Sequence, residues 1–463
     1  MSLRFERIAA FAALLLFAIA AQAQNQPSSA AQTPLTPQEI AALEQDMVRA
    51  RSEEKWVELY RDALKLHQQR PYTPEYYVEI IRASAALDRR RTAYHFMLQM
   101  QQQGLSYDLT AIEETAGMAD TEAFQYMNQL MVEAGQPAGE GQALLDLPGS
   151  PADIGDLAWD PTRERFLVGT RFEGKLLAVS DGGQVEPLLQ SDEENGLWSI
   201  DGIAVDPERN SLWIASTASP AFTGFTPADA RRGGLFQFSL DSLELVARFN
   251  LDVDGLVHSL GSVAVTQAGD VYVVDRATPM VFRKTADGDR LEPFLAMPRL
   301  TALTDIAVTP DNSRLFIADA VMGILLVDPS VGRSALLRGP ESLNQFGIYG
   351  IEFVDGSLVV TQSGLSPQRI MRFELDSGGA EVTSVAPIAI ALEGFDTPGV
   401  GTLRGEELFY FANHGSASDD DRMRLWVSPI NSGAPIEPPD MRLFKDSMRE
   451  RLEAEQQSQQ DPQ

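Results

Sequence analysis

A recurring pair of apolar segments, joined by a short polar turn, organises most of the chain. In the clearest copy, Ser199–Ser216, an apolar run around Ile203 is followed by the polar turn Asp206–Ser211 and a second apolar run around Ile214. Short apolar runs bounded by Asp, Pro and Asn are typical of β-strands joined in hairpins. The first apolar runs of five further copies contain Leu157, Val263, Ile306, Ile351 and Val400.

The spacing of these copies predicts a six-bladed β-propeller over residues 142–430. The copies follow one another at steps of roughly 43 to 60 residues, and a β-patterned repeat of this size is typical of propeller blades. Complete copies resolve into four strands, whereas the last has only three. We predict that Gln142–Leu147, which resembles the outer strands of other copies, supplies the missing strand and closes the ring, because an open edge would otherwise remain.

In residues 36–135 the apolar residues instead recur with the period of an α-helix. Thr36, Pro37 and Glu39 form a capping pattern at the start of the first amphipathic segment. Four more short helices are predicted around Leu59, Ile80, Met97 and Met127, and together they resemble stacked hairpins of the tetratricopeptide type. Such a layer either presents a surface to a partner protein or packs as a cap on the propeller, and the pattern fits both alternatives.

The two ends of the chain differ from both regions. Residues 1–23 combine Arg4 and Arg7, a short apolar run and the small-residue site Ala21–Ala23, which predicts a cleaved signal peptide and a periplasmic or secreted protein. Residues 24–35 are predicted to be a disordered linker, and residues 435–463 a charged, Gln-rich tail. No apolar run is long enough to span a bilayer.

The amino-acid composition of the chain limits the classes of partner that it can bind. The chain has no cysteine, which excludes disulfides. Its net charge is −29, from 66 acidic and 37 basic residues, so the surface repels nucleic acid and anionic lipid. A protein partner or a small-molecule ligand is therefore expected.

One face of the predicted propeller collects the unusual residues. It carries the loops between second and third strands, and in the second blade this loop is the long insertion Thr217–Gly233. Residues directly before the inner strands, together with two loop histidines, are predicted to share this face. Long loops on a rigid scaffold often carry binding residues. The predicted ligand face comprises Asp201, Phe222, Phe225, Arg231, Arg232, Tyr349 and His414.

Three aspartates define a candidate metal site. Asp156, Asp201 and Asp305 precede three of the inner strands and would converge on the channel, where their oxygens suit Ca²⁺ or another divalent cation. His258, on the same rim, is the candidate catalytic base. The alternative is that each aspartate accepts backbone N–H bonds at a strand start and that His258 is a satisfied polar residue.

Two stretches, Asn195–Pro207 and Gly350–Phe373, the second followed by Phe395–Gly401 and Leu408–Asn413, carry a family resemblance. They resemble the superfamily of gluconolactonase, regucalcin and luciferin-regenerating enzyme, with NHL-type repeats as a looser relative, and in particular an uncharacterised exported bacterial branch. The resemblance implies a six-bladed propeller with a channel cation and a lactonase-type activity. It also implies a glutamate in the first inner strand, but the sequence there reads Gly155–Trp159, with Asp156 adjacent.

Two functions follow from the sequence. The first is an exported binding or scaffold protein that uses the helical surface and the loop-rich face. The alternative is a metal-dependent lactone or ester hydrolase that uses Asp156, Asp201 and Asp305 with His258. No nucleophile-elbow, zinc-protease, P-loop or dinucleotide motif is present.

Overall fold

The computed structural model describes residues 34–251, 256–297, 299–416, 421–431 and 433–434. The predicted signal peptide, nearly all of the predicted linker and the tail 435–463 lie outside these residues. Five α-helices come first in the described chain and 25 β-strands follow. None of the described helices has both the length and the apolar character needed to cross a membrane.

All five predicted helices form. The first is capped as expected, because the Thr36 hydroxyl accepts a bond from the Glu39 backbone N–H while the Glu39 carboxylate accepts one from the Thr36 N–H. Consecutive helices pack on one another around a shared core that includes Leu59, Ile80 and Met97. The helices are α1 (Pro37–Ser52), α2 (Trp56–Gln69), α3 (Pro74–Ala86), α4 (Arg90–Gln102) and α5 (Glu122–Glu133).

Six antiparallel sheets form a ring of six blades, which confirms the predicted propeller. Two strands precede the first complete blade: β1 (Ala138–Gly139) and β2 (Gln142–Pro148). Blade 1 contains β3 (Ile154–Asp160), β4 (Arg165–Thr170), β5 (Lys175–Val179) and β6 (Val185–Gln190). Blade 2 contains β7 (Ser199–Asp206), β8 (Ser211–Thr217), β9 (Gly233–Ser239) and β10 (Leu245–Asn250).

The remaining blades repeat this order. Blade 3 contains β11 (Leu260–Val265), β12 (Val271–Asp275), β13 (Met280–Lys284) and β14 (Glu292–Ala296). Blade 4 contains β15 (Leu303–Val308), β16 (Leu315–Asp319), β17 (Gly323–Asp328) and β18 (Arg333–Leu336). Blade 5 contains β19 (Ile348–Val354), β20 (Ser357–Gln362), β21 (Arg369–Leu375) and β22 (Val382–Ile390). Blade 6 contains β23 (Gly401–Arg404), β24 (Glu407–Phe411) and β25 (Arg422–Pro429).

The ring closes with a strand from the opposite end of the domain, as predicted. β2 pairs antiparallel with β25, with Ala143 opposite Trp426, and so becomes the outer strand of blade 6. Leu147 of β2 is 1% exposed and belongs to the apolar core between blades 6 and 1. The short β1 was not predicted; it extends the outer edge of blade 5 by pairing with β22.

Glycines at the starts of the inner strands allow neighbouring blades to approach closely. A Cβ atom added to Gly202 would lie 1.9 Å from the carbonyl oxygen of Gly261, and one added to Gly155 would lie 1.9 Å from that of Ile200. Any larger residue would therefore push two backbones apart. The recurring Asp-Gly and Gly-Asp pairs that start these strands have this steric cause.

The helical region packs on the loop-rich face of the propeller beside blade 5. Arg369 is 1% exposed and donates a 2.8 Å bond to the carbonyl oxygen of Gln103, while the Asn344 amide donates a 2.8 Å bond to the Gln103 side chain. Leu365, from the β20–β21 loop, inserts into the core of the helices. The helices therefore form a cap on the propeller, and a partner surface on their other sides stays a prediction.

Candidate functional site

A cavity of about 570 Å³ opens at the mouth of the central channel, on the face predicted to collect the unusual residues. Five blades contribute to its wall, with Arg171 from blade 1, Arg276 from blade 3, Thr304 from blade 4, Tyr349 from blade 5 and His414 from blade 6. We call it the mouth cavity. Polar groups from distant parts of the chain converge there because the inner strands all start at this end of the ring.

Two arginines of the mouth cavity occupy equivalent positions in their blades. Arg171 directly follows β4 and Arg276 directly follows β12, the second strands of blades 1 and 3. Each has a backbone N–H that donates to a carbonyl just before its own blade's inner strand. The same position holds a smaller, uncharged residue in blades 2, 4 and 5, namely Thr217, Ala320 and Ser363. The small residues of blades 4 and 5 leave the space that the mouth cavity occupies.

One carboxylate lies beside both guanidinium groups. Asp201 accepts a 2.7 Å bond from Arg171 Nε, and its carboxylate lies 3.9 Å from Arg276 Nη1. Arg276 lies against Gly261, where an added Cβ atom would come within 2.6 Å of its Cζ. Burial and the charge of Arg171 lower the pKa of Arg276 below its ordinary value, although Asp201 acts in the opposite direction.

Three carboxyl groups line a smaller space of about 200 Å³ further along the channel: those of Asp156, Asp305 and Glu352. Asp156 accepts backbone bonds from Leu157 at 2.9 Å and from Ile203 at 2.7 Å. Asp305 repeats this arrangement in blade 4, with backbone N–H groups of blades 4 and 5. Each aspartate thus joins its own inner strand to that of the next blade, which is the backbone-capping alternative from the sequence.

These carboxyl groups do not all carry a charge at neutral pH. Burial, and next the charge of Asp305, raise the pKa of Asp156 to about 7. Burial raises the pKa of Glu352 well above its ordinary value, and the charges of Asp305 and Asp156 raise it further. The side chains of Asp156, Asp305 and Glu352 are partly exposed to this narrow space.

The described residues do not fit a divalent cation. Asp201 is bonded to a guanidinium group, and the oxygens of Asp156 and Asp305 are used by backbone N–H groups. Within the described ranges, no group of three His, Cys, Asp or Glu side chains is placed to hold a metal ion. A Ca²⁺ site needs six to eight oxygen ligands, and two nearby guanidinium groups oppose a cation electrostatically.

The two rim histidines have different surroundings. His258 is buried before β11, where its Nδ1 lies 2.5 Å from Asp275 Oδ2 and its ring packs on Phe282, and it lines neither space. Asp275 also accepts three backbone bonds from Ser259, Ala277 and Thr278. The His258–Asp275 pair therefore joins the loop before β11 to the end of β12. His414, in contrast, lines the mouth cavity.

The long insertion of blade 2 does not line the mouth cavity. Phe222 packs edge-on against Trp198 with ring centres 5.6 Å apart, and the Thr223 N–H donates to the Phe172 carbonyl. Arg232 pairs with Asp229 at 3.3 Å within the loop. Phe222 therefore holds the insertion over blade 1, and neither Phe225 nor Arg231 is among the residues that form the cavity wall.

Shortening residues 218–232 to a four-residue turn is expected to leave the propeller folded. The β8–β9 ladder lies outside the loop, so the main loss is the packing of Phe222 on Trp198, about 1 kcal/mol. Thermal unfolding followed by circular dichroism measures this loss, and Phe222→Ala is the matched point variant. Failure of the shortened protein to fold, while Phe222→Ala folds, would mean that the insertion is structural.

Sequence reasoning missed Arg171, Arg276 and Glu352. A signal for the arginines was present, because aligning the repeats on their second strands places both at one position, which holds uncharged residues in blades 2, 4 and 5. Glu352 interrupts the apolar run of an inner strand, whereas the aligned residues of blades 2, 3 and 4 are alanines: Ala204, Ala264 and Ala307.

The sequence matches no family model. No curated protein matches it either. Among solved structures, the chain is similar to luciferin-regenerating enzyme (12% identity, TM-score 0.46, 65% of this chain and 99% of that one). It is also similar to the Malassezia sympodialis allergen Mala s 1 (14%, 0.46, 62% and 96%) and to the PQQ-bound aldose sugar dehydrogenase of Streptomyces coelicolor (16%, 0.43, 63% and 99%). At these identities the comparisons assign neither a family nor an activity.

Proposed function

We propose that this protein is an exported binding protein whose ligand, a small molecule, occupies the mouth cavity, with the helical region as a cap beside it. Export is proposed from the signal-peptide pattern of residues 1–23. The observation that carries the binding function is the convergence of polar side chains from five blades on one cavity. Ligand sites are typically concave, roughly 300 to 1,000 Å³ in volume, and mostly apolar with a few placed polar groups.

The mouth cavity has this mixed character. Leu303, Val400 and the ring of Tyr349 give it apolar surface, and Tyr349 is 40% exposed although it lies at the start of an inner strand. Thr304, Ser363 and Thr397 add hydroxyl groups. An aromatic ring left exposed in a polar-rimmed cavity is a contact surface for the apolar part of a ligand.

No observation favours the hydrolase alternative over binding. A metal-dependent lactonase needs a cation that polarises the substrate carbonyl and activates water. The carboxylates predicted for that cation are bonded to a guanidinium group or to backbone N–H groups. His258, its predicted base, lines neither channel space.

Filling the mouth cavity is the direct test of the binding function. Ser363→Phe places a ring in the cavity next to Tyr349, whereas Ala335→Phe, on the exposed edge of blade 4, adds the same ring elsewhere. The probes are three small aromatic compounds: mandelate, phenylacetate and methyl mandelate. We expect Ser363→Phe to weaken their binding roughly tenfold or more, as measured by isothermal titration. Ala335→Phe should bind like the wild type. Equal binding by both variants would overturn the proposed function.

A further inference from the structure

Two guanidinium groups line the mouth cavity, and no carboxylate is among the described residues of its wall. Among the residues that the structure describes, only the carboxylate of Asp201 lies within ion-pair distance of Arg171 and Arg276. The carboxyl groups of Asp156, Asp305 and Glu352 line the separate smaller space, from which the charges of Asp156 and Asp305 also act on Arg276. Two guanidinium groups that share one carboxylate leave a position for a second anion.

Arg276 is the less satisfied of the two arginines. Its guanidinium group donates to the Thr304 carbonyl at 3.4 Å and lies 3.9 Å from Asp201, whereas Arg171 makes a 2.7 Å bond to the same carboxylate. The side chain of Arg276 is 24% exposed, and a largely buried cation with long contacts is costly unless a further partner compensates its charge. A planar guanidinium group matches the two oxygens of a carboxylate, and an anion in the mouth cavity would supply that partner.

His414 adds a hydrogen-bond acceptor to the same cavity. Burial, and next the charges of Arg171 and Arg276, lower the pKa of His414 to about 3, so the imidazole is neutral at physiological pH. Its ring is hydrogen-bonded to the backbone of Ile154, and its buried Nε2 has no partner among the described residues. A neutral imidazole has one donor and one acceptor. With Nδ1–H donated to the Ile154 carbonyl, Nε2 is left as an acceptor.

We propose that the mouth cavity binds a small α-hydroxy carboxylic acid with an apolar substituent: Arg276 and Arg171 bind the carboxylate, His414 Nε2 accepts the hydroxyl proton in a hydrogen bond, and the substituent packs on Tyr349. This inference rests on the proposed binding function and names the class of its ligand. An amino acid is less suitable, because its ammonium group would add a third positive charge beside two guanidinium groups. An inorganic anion would leave Leu303, Val400 and Tyr349 without a contact.

The closing experiment compares four probes at constant ionic strength by isothermal titration. Mandelate has the carboxylate and the hydroxyl group, phenylacetate lacks the hydroxyl group, methyl mandelate lacks the charge, and sulfate lacks the apolar part. We expect mandelate to bind most tightly. Phenylacetate and methyl mandelate should each bind roughly tenfold more weakly, since each loses one hydrogen-bonded or charged contact.

Two variants assign these differences to residues. Arg276→Met should weaken mandelate binding roughly tenfold or more and leave methyl mandelate unchanged, whereas Arg333→Met, on the exposed outer strand of blade 4, should bind like the wild type. His414→Phe keeps a ring of similar shape but lacks Nε2. It should reduce mandelate binding to the level of phenylacetate without changing phenylacetate itself, which a purely structural role for His414 would not produce.

The outcomes separate this inference from the proposed function. If methyl mandelate binds as tightly as mandelate, and Ser363→Phe removes both, the binding function stands and the acid inference is wrong. If sulfate binding depends on Arg276 and mandelate binds no more tightly than sulfate, the proposal that the ligand is an organic acid is also wrong. Absence of mandelate binding at about 10 mM, a very weak affinity, would overturn it as well.

Discussion

Replacing residues 142–147 by a Gly-Ser segment of the same length is expected to lower the melting temperature by on the order of 10 °C. The replacement removes Leu147 from the core between blades 6 and 1, which costs about 2–5 kcal/mol, and leaves β25 as an unpaired edge. Thermal unfolding followed by circular dichroism measures the loss. The replacement leaves the separate core of the helical region intact. Wild type and variant are therefore compared as full-length chains.

The matched control is the same replacement of β6, the outer strand of blade 1. It also exposes an edge, but none of its residues is fully buried, and the ring stays closed through β2. A smaller loss is expected for the control. Equal losses for the two replacements would show that β2 is only another outer strand and that closure adds no stability of its own.

Glu352→Gln is expected to stabilise the protein above pH 7 and to have a smaller effect at pH 5. The pKa values of Asp156 and Glu352 are raised in the folded protein, so between about pH 4 and pH 7 the folded state binds more protons than the unfolded state. The free energy of unfolding therefore falls as pH rises through this window. For Asp156, a pKa of about 7 against an ordinary 3.8 corresponds to a loss of about 4 kcal/mol.

Urea unfolding at pH 5 and pH 8 checks this expectation. Glu352→Gln removes the third acid, so its free energy of unfolding should fall less between the two pH values than that of the wild type. Glu186→Gln, on the exposed outer strand β6, removes the same charge from the surface and controls for net charge. A pH dependence of Glu352→Gln parallel to that of Glu186→Gln would contradict the coupling of the three carboxyl groups.

The propeller was predictable because each blade repeats a local pattern of apolar runs and turns. The sixth blade shows this well, since three strands at one end and a matching orphan segment at the other require closure. The capping pattern at Thr36 is equally local. The pairing of β1 with β22 could not be predicted, because Ala138–Gly139 is too short to have an alternation of its own.

The site was less predictable because its contacts lie between blades. The sequence placed Asp156 and Asp305 at the channel, but their partners, the N–H groups of Ile203 and Ile351, belong to the next blade. Asp201, predicted to be a metal ligand, instead accepts a hydrogen bond from Arg171 of the preceding blade. An aspartate at a strand start can coordinate a cation, accept a bond from a backbone N–H or pair with a guanidinium group. The residue type alone therefore does not predict which of these partners its carboxylate has.

The closure of the ring by β2 also determines the order in which the fold is completed. β2 is synthesised before every blade, and its partner β25 is synthesised after all the other strands. A nascent chain therefore carries β2 as an open edge, with Leu147 uncovered, until the last blade has emerged. An open edge strand pairs readily with other chains, so the interval between translation of β2 and of β25 is the period of greatest exposure to aggregation.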